Sequence, residues 1–356
     1  MEVQEQAASP CTCCGGGSME KMPPCCGTTG EVQQAPIRTA TSEITLSHRF
    51  DHFLARWGVK RMGHTVEPGL YRLGNPTSDS DVFVSANYTL SFDALRSALA
   101  GRDVYILVLD TKGINVWCAA GKGTFGTEEL VRRIGMTGLA GIVRHRRLIL
   151  PQLSAPGVSW PDVVRGSGFL VEYGPVRAHD LPEYLETRKA TPAMRRVEFP
   201  LRDRVVLIPV ELVQALPFML VPVAALGFLV SWFIAAELVL AVFAGTVLFP
   251  ILLPMLPTKD FSTKGLILGV LVMIPPAILG AGAFAPFQLA AAAATLLIFT
   301  PVTAYLALNF TGSTPFTSRT GVKKEIFRYI PVMAAMLSSG AILAVLAGAL
   351  HLLGVI

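Results

Sequence analysis

The last 152 residues of the chain carry almost no charge, and this constrains its fold more than any other feature. From Val205 onward there are six Lys/Arg and four Asp/Glu, against 24 and 21 in the residues before it. About 22% of the first part is charged, as in ordinary soluble domains, whereas so few charges over so long a segment are typical of membrane helices. The sequence therefore predicts a soluble part followed by a membrane part. It excludes a disordered chain, a fibrous protein and a single soluble domain.

Five apolar stretches follow Arg204, each close to the ~20 residues that a helix needs to cross a bilayer. We place them at 205–225, 229–253, 265–284, 287–308 and 330–353, which predicts an all-α transmembrane domain of five helices at 205–356. All the Lys and Arg residues of the connecting loops fall on one side: Arg202, Arg204, Lys259, Lys264, Arg319, Lys323, Lys324 and Arg328. By the positive-inside rule we expect a multi-pass protein of the cytoplasmic (inner) membrane, with the soluble part in the cytoplasm and the C-terminus outside. Glu211 and Glu237 lie inside these stretches, where carboxylates are costly and often functional, and their role stays open.

The first 42 residues are rich in Gly, Pro, Thr and Cys and show no apolar periodicity, which predicts a disordered tail. The first ten are polar and acidic, so we do not expect a secretory signal. Five cysteines fall in this tail: Cys11, Cys13, Cys14, Cys25 and Cys26. Their spacing matches neither zinc-finger nor ferredoxin patterns. They are candidate Hg(II) ligands, because Hg(II) prefers thiolates, or else incidental reduced thiols.

Residues 43–204 alternate between strand and helix patterns, as in a Rossmann-like α/β domain. We expect strands at 81–86, 104–109, 148–150 and 169–172, and helices at 91–99 and 127–134. Ser91 is the expected N-cap of the first helix, and Gly135 is expected to end the second. Because ligands of such sheets bind beyond the carboxyl ends of the strands, the loop after Leu109 is the expected ligand site.

Cys118 lies in that loop, within Asn115-Val-Trp-Cys-Ala-Ala-Gly-Lys-Gly123. Small residues let the backbone approach a large flat ligand, and a thiolate can bind a soft or borderline transition metal. The alternative is a small buried apolar residue, which is the usual role of a lone cysteine. A phosphate-binding loop is disfavoured, since Gly-Lys is not followed by Ser or Thr. His145, within Arg-His-Arg-Arg, is interpreted as part of a solvated basic stretch and not as a metal ligand.

The stretch GINVWCAAGKGTFGTEEL and the later blocks at 150–158, 171–177 and 190–196 resemble the corrinoid-binding domain of the corrinoid iron–sulfur protein family. The upstream segments PGLYRLGNP and Val84–Tyr88 fit the same family, so the resemblance covers about residues 50–205. The large subunit of that family has an iron–sulfur domain with its own cysteine motif, whereas this chain shows a membrane part. A corrinoid domain with NVWCAAGK joined to membrane spans resembles the mercury-methylating corrinoid proteins of the HgcA family.

This resemblance implies an α/β Rossmann-like corrinoid-binding domain, a cobalamin-type corrinoid cofactor, and Cys118 on a cap helix as the lower axial ligand of cobalt. The residues it implies for corrinoid binding are Asn115, Val116, Trp117, Cys118, Ala119, Ala120, Gly121, Lys122 and Gly123, with Asn87, Tyr88, Pro156 and Gly157 from the other matching blocks. For the last four the alternative is a turn or packing role, and for Lys122 a solvated surface lysine.

The resemblance also implies Hg(II) as the methyl acceptor and a ferredoxin-like protein with two iron–sulfur clusters (HgcB type) as the electron donor. The other implied partners are a methyl donor protein or methyl-tetrahydrofolate, and membrane lipid; we expect no nucleic acid. The chemistry agrees with these partners. Hg(II) is an electrophile, so it must receive methyl as a carbanion or radical equivalent, which leaves the cobalt oxidised. A thiolate ligand stabilises oxidised cobalt, and an electron donor must then reduce it.

Two other functions stay open. One is a corrinoid methyl carrier of one-carbon metabolism, in the acetyl-CoA pathway. The other is a membrane metal or mercury transporter with a regulatory soluble domain. The apolar stretches contain no cysteine, which counts against a thiol relay through the membrane.

Overall fold

The computed structural model describes residues 36–281, 286–315 and 317–354. The first part is a mixed α/β domain. Its strands are β1 (Arg38–Ala40), β2 (Gly69–Leu73), β3 (Val82–Ala86), β4 (Val104–Leu109), β5 (Arg147–Leu150) and β6 (Leu170–Tyr173). Its helices are α1 (Leu46–Arg56), α2 (Thr89–Ala98), α3 (Val116–Lys122), α4 (Thr127–Met136), α5 (Leu139–Ile142), α6 (Trp160–Ser167) and α7 (Leu181–Thr187).

The strands form one sheet in the order β1-β2-β4-β3-β5-β6. Strands β4, β3, β5 and β6 are parallel, whereas β2 runs antiparallel to β4 and β1 runs parallel to β2. The predicted alternation of strands and helices is confirmed. The Rossmann-like expectation is corrected in one respect, because two antiparallel strands extend one side of the sheet.

Helices cover both faces of this sheet, which explains the unbroken apolar sequence of β4, where every residue is buried. On one face α3, α4 and α6 pack against the strands through residues such as Ala119, Leu130 and Val163. On the other face α2 and α7 contribute Phe92 and Tyr184. The result is a three-layer arrangement with the carboxyl ends of four parallel strands at one edge.

Several predicted boundaries differ from the structure. The expected tail of 42 residues is too long, because β1 lies within it and pairs with β2 in the register Arg38↔Tyr71. Helix α2 begins at Thr89 with Tyr88 as N-cap, so the prediction of Ser91 as N-cap is wrong. The chain turns directly out of β3 at Tyr88, which leaves Ser91 inside the first turn. Helix α4 continues through Gly135 to Met136.

The second part consists of apolar helices. They are α8 (Leu201–Val205), α9 (Ile208–Leu229), α10 (Trp232–Phe243), α11 (Phe249–Leu252), α12 (Phe261–Ala281), α13 (Pro286–Asn309) and α14 (Arg319–Leu352), with a π-helical turn at Ala244–Leu248. Five helical segments are long and apolar enough to cross a membrane: Leu201–Leu229, Trp232–Leu252, Phe261–Leu279, Pro286–Ser313 and Thr320–Leu352. Five such segments were predicted, and the structure lengthens the last by nearly three turns at its start.

Residues 199–207 join the two parts through specific contacts. The buried Arg204 side chain donates to the carbonyl oxygens of Pro250 and Ile251 at 2.8 and 2.7 Å, at the end of α11. Phe199 stacks on Phe310, with 6.3 Å between ring centroids. These contacts hold the α/β domain against one end of the apolar helices.

Candidate functional site

The loop between β4 and α3 crosses the carboxyl edge of the sheet, and Asn87 fixes its path. Asn87 follows β3 and is buried. Its Oδ1 accepts hydrogen bonds from the backbone N–H and the hydroxyl of Thr111, at 3.1 and 2.8 Å, and from the N–H of Gly113 at 3.1 Å. Gly113 has a φ of +70°, and a Cβ there would lie 2.8 Å from the carbonyl oxygen of Met62. The loop therefore has one defined conformation as it enters α3.

Helix α3 occupies the stretch for which the residue pattern predicted a loop. Asn115 is its N-cap, and the side-chain oxygen of Asn115 accepts a hydrogen bond from the backbone N–H of Cys118 at 2.9 Å. The helix ends at Gly123, whose left-handed φ of 85° favours glycine. A capped start and a glycine end thus define a short helix over the carboxyl edge.

The two faces of α3 differ. Val116, Ala119 and Ala120 are spaced by three and four residues and pack into the core of the α/β domain. Cys118, Gly121 and Lys122 have the same spacing and occupy the opposite, outer face. A ligand on the outer face would meet the Cys118 thiol, whereas the side chains of Ala119 and Ala120 point away from it.

Cys118 is a free thiol and is half-buried. Burial raises the pKa of the Cys118 thiol, while the charge of Lys122, a hydrogen bond with Asn115 and the charge of Arg61 act in the opposite direction. The two cations would stabilise a thiolate, and a bound metal ion deprotonates a coordinating thiol. Cys118 is thus a partly exposed thiol with two cationic side chains near enough to lower its pKa.

A cleft of about 1290 Å³ opens beside α3. Its walls include Ser85 and Leu150 at the carboxyl edge, Trp117 of α3, the linker around Arg196, and Ser313 after α13. This volume exceeds the ~300–1,000 Å³ of typical small-molecule sites, so the cleft is suited to a large ligand. Asn115 and Val116 also contribute to its walls, whereas Cys118 lies outside the lining on the adjoining outer face.

The other predicted site residues fall in different surroundings. Gly157 packs against α3, since a Cβ there would lie 2.3 Å from the carbonyl oxygen of Phe125 and 2.9 Å from the Cα of Ala120. Pro156 is exposed, Tyr88 is the half-buried N-cap of α2, and Gly123 ends α3. Gly157 and Asn87 thus contact the segments that position α3.

Residues proposed to bind metal elsewhere are placed as follows. His145 lies at the start of β5, where its Nε2 is 2.9 Å from the carbonyl oxygen of Ser80, at the edge of the sheet opposite to α3. Cys11, Cys13, Cys14, Cys25 and Cys26 lie outside the described residues. Within the described residues, no group of three or more His, Cys, Asp or Glu side chains is arranged to hold a metal ion.

Sequence reasoning missed Arg61, which comes from the loop after α1 and contributes to the electrostatic environment of Cys118. It also missed the mixed charge of the cleft wall, where Arg56, Arg177 and Arg202 lie among carboxylates such as Glu198 and Asp203. No local pattern marks these residues, because only the tertiary fold brings them to α3.

Comparison with known proteins finds similarity in the α/β domain. Residues 60–159 match the family model for the CO dehydrogenase/acetyl-CoA synthase delta subunit. This segment contains α3 and Cys118 and ends before the apolar helices. The match covers less than a third of the chain, so it describes the α/β domain alone.

Curated relatives show the same limited similarity. The gamma subunit of the acetyl-CoA decarbonylase/synthase complex of Methanopyrus kandleri is 36% identical over 123 residues, which are 34% of this chain and 26% of that protein. The corresponding subunit of Methanothermobacter thermautotrophicus is 28% identical over 179 residues, 45% of this chain and 39% of that protein. That of Methanocaldococcus jannaschii is 37% identical over 97 residues, 27% and 20% of the two chains. The chain therefore spans between about a fifth and two-fifths of the length of these relatives.

Proposed function

We propose that this protein is a corrinoid-dependent methyltransferase held in a membrane by its five apolar helices, with Cys118 as the lower axial ligand of cobalt. The observation that carries the proposal is the position of Cys118, which adjoins the cleft without lining it. It lies on the outer face of a capped helix, beyond the carboxyl ends of four parallel strands and beside a large cleft. The similarity to subunits of acetyl-CoA decarbonylase/synthase supports corrinoid chemistry for the α/β domain.

The residues present fit a corrinoid. The Cys118 thiol is a suitable ligand for cobalt, Gly121 adds no side chain beside it, and the cleft walls combine apolar groups with arginines and carboxylates. When bound, the corrinoid supplies a cobalt-held methyl group for transfer to the acceptor. Asn115 fixes the first turn of α3 and so orients Cys118, while Lys122 and Arg61 stabilise the thiolate charge. Trp117, in the cleft wall, covers apolar surface and limits access of water.

As methyl acceptor we propose inorganic Hg(II), which yields methylmercury. The support is the Trp117-Cys118 pair in its NVWCAAGK context, together with membrane-length helices on the same chain. An electrophilic acceptor calls for a strong thiolate donor on cobalt and for a reductant after each transfer. A ferredoxin-like partner with two iron–sulfur clusters is therefore part of the proposal, as is the cytoplasmic location of the α/β domain indicated by the basic loops.

The second candidate is a corrinoid methyl carrier of one-carbon metabolism. The similarity to gamma subunits of the acetyl-CoA decarbonylase/synthase complex favours this candidate over the first for the α/β domain. Both candidates use the same cofactor and the same position for it. They differ in the acceptor and in whether a cysteine ligand and membrane helices are needed.

One experiment addresses ligand and acceptor together. The full chain, purified in detergent and loaded with methylcobalamin, is offered Hg(II) or a reduced pterin, and its absorption spectrum is recorded. We expect a cobalt–thiolate band and, at saturating Hg(II), methylmercury from the wild type and from Cys25→Ala, and neither from Cys118→Ala. An unchanged spectrum in Cys118→Ala would exclude the cobalt ligand, and methyl transfer to the pterin alone would establish the second candidate.

The tail cysteines are proposed to capture Hg(II) before transfer. Deletion of residues 1–34 leaves the sheet intact, because β1 begins at Arg38. We expect slower methylation at low Hg(II) concentration and an unchanged rate at saturation. Equal rates at both concentrations would refute the capture role.

A further inference from the structure

Helix α1 carries a stripe of large apolar side chains that the protein leaves uncovered. Leu46, Phe50, Phe53 and Trp57 are spaced by four, three and four residues and have exposed fractions of 84, 62, 53 and 37%. The rings contact one another, with centroid distances of 6.5 Å for Phe50–Phe53 and 5.8 Å for Phe53–Trp57. The stripe is therefore one continuous apolar surface.

The opposite side of α1 is fixed to the domain, so the helix cannot rotate to bury the stripe. His52 Nε2 lies 2.7 Å from a carboxylate oxygen of Asp93 in α2. Asp51 contacts Nδ1 of the buried His64 at 2.7 Å, and Ala55 is in the core. The contacts on the opposite side of α1 therefore keep the stripe exposed.

Single exposed apolar residues are normal, but a cluster of this kind marks an interaction surface. The stripe continues into the following loop, where Val59 and Met62 are 47 and 57% exposed. In the other described helices of the α/β domain, large exposed apolar residues are isolated, as Met136 in α4 and Trp160 in α6.

The position of α1 identifies what covers the stripe. Gly58, immediately after Trp57, packs against α9: a Cβ there would lie 3.7 and 3.9 Å from the methyl groups of Val210 and Val213. A membrane helix needs ~20 residues at ~1.5 Å each to cross ~30 Å of hydrocarbon. Counted back from Leu229, the end of α9, this length reaches Val210. The C-terminal end of α1 thus lies at the boundary of the hydrocarbon.

The charges around the stripe fit an anionic surface. Arg49 and Lys60 are exposed beside it, and the single acidic residue in 46–62, Asp51, is paired with His64. Aromatic and leucine side chains flanked by basic residues are typical of helices that lie in the plane of a membrane interface. Tryptophan is enriched at the headgroup level, where Trp57 falls.

We propose that α1 is an interfacial helix that inserts its apolar stripe into an anionic lipid bilayer, with Arg49 and Lys60 at the headgroups. This inference rests on the proposed membrane insertion of the apolar helices. It gives the α/β domain a second attachment besides residues 199–207. Since Arg56 and Arg61 belong to the same segment and face the cleft and Cys118, this attachment fixes the distance between the cofactor site and the membrane.

The test is photocrosslinking of the full chain in nanodiscs containing phosphatidylglycerol. Phe53→p-benzoylphenylalanine is expected to give lipid adducts detectable by mass spectrometry. Phe218→p-benzoylphenylalanine, at an 82% exposed position of α9, reports on membrane insertion itself. Met136→p-benzoylphenylalanine, at the end of α4, is the control for the domain surface and should give no lipid adduct.

The outcomes separate the two claims. Lipid adducts at Phe218 but not at Phe53, or adducts of Phe53 with protein only, would overturn the interfacial helix and leave membrane insertion standing. A lack of adducts at Phe218 would overturn both. The double substitution Arg49→Gln and Lys60→Gln should lower the lipid-adduct yield at Phe53 at least twofold without changing it at Phe218, and an equal yield would overturn the role of anionic headgroups.

Discussion

At the scale of single residues, the reactivity of Cys118 depends on its charged neighbours. Burial raises the pKa of this thiol, and Lys122 and Arg61 partly offset the effect. Lys122→Met removes one cation and should raise the pKa of Cys118 further. At a pH below that pKa, a smaller fraction of Cys118 is then present as the thiolate. We expect alkylation of Cys118 by iodoacetamide at pH 8 to slow by about threefold in the cofactor-free chain, measured by peptide-resolved mass spectrometry.

The matched control is Lys189→Met, at an exposed position after α7. Its alkylation rate at Cys118 should equal that of the wild type. In each of these chains the alkylation rate of Cys118 should rise with pH until the thiol is fully ionised. A rate in Lys122→Met equal to or above that of the wild type would contradict the proposed electrostatic role.

Asn87 is the second residue whose role is local and testable. In Asn87→Ala the backbone N–H groups of Thr111 and Gly113 lose their shared acceptor, whereas the Thr111 hydroxyl can donate to the carbonyl oxygen of Ile114 at 2.7 Å. Buried donors without partners cost ~1–3 kcal/mol each, so the free energy of unfolding should fall by about 3 kcal/mol. Thermal unfolding in detergent measures this, with Asn75→Ala, at an exposed turn, expected to unfold within a degree of the wild type.

At the scale of elements, the sequence predicted best those strands and helices that have a clear apolar pattern. Strand β4 was predicted at its observed bounds, since a continuous apolar run between polar segments leaves little choice. Helix α3 was not evident from its residues, because a seven-residue segment with two alanines and one glycine has too few large apolar side chains to show a helical periodicity. Its start depends on the Asn115 side chain, and its position on Asn87 and Gly157, which are distant in sequence.

Close packing under α3 gives the element-scale prediction. In Gly157→Ala the new methyl group meets the backbone of Phe125 and Ala120, so α3 must move. We expect a loss of about 1–3 kcal/mol in unfolding free energy and weaker corrinoid retention on gel filtration.

Gly135→Ala is the control with the opposite sign. Gly135 lies on the exposed side of α4, and an added methyl group there would meet no atom within 4 Å apart from the backbone of its own helix and its chain neighbours. Alanine at this position should raise the unfolding free energy by about 0.5–1 kcal/mol, because it lowers the entropy of the unfolded chain. An equal unfolding free energy for Gly157→Ala and Gly135→Ala would show that close packing at Gly157 does not limit the stability.

At the scale of the whole molecule, the apolar helices are held by close contacts at small residues. A Cβ placed on Gly265 of α12 would lie only 2.7 Å from the Cα of Ala304 in α13. A Cβ placed on Gly269 would lie only 3.0 Å from the Cα of Thr300. Gly265→Leu should separate these helices and lower the melting temperature in detergent, at a cost of about 1–3 kcal/mol. Gly348→Leu, on an open face of α14, should melt with the wild type. A wild-type melting temperature in Gly265→Leu would show that this contact does not stabilise the bundle.

The amino-acid sequence alone determined the division of the chain, the number of apolar helices, and the central strands. The physical reason is that charge density and apolar runs act over short distances along the chain. Only the tertiary structure decided which residues surround Cys118, that two strands run antiparallel, and that α1 turns an apolar stripe outward. These properties depend on contacts between segments far apart in sequence, such as Asn87 with Thr111 and Gly58 with Val210, which no local pattern encodes.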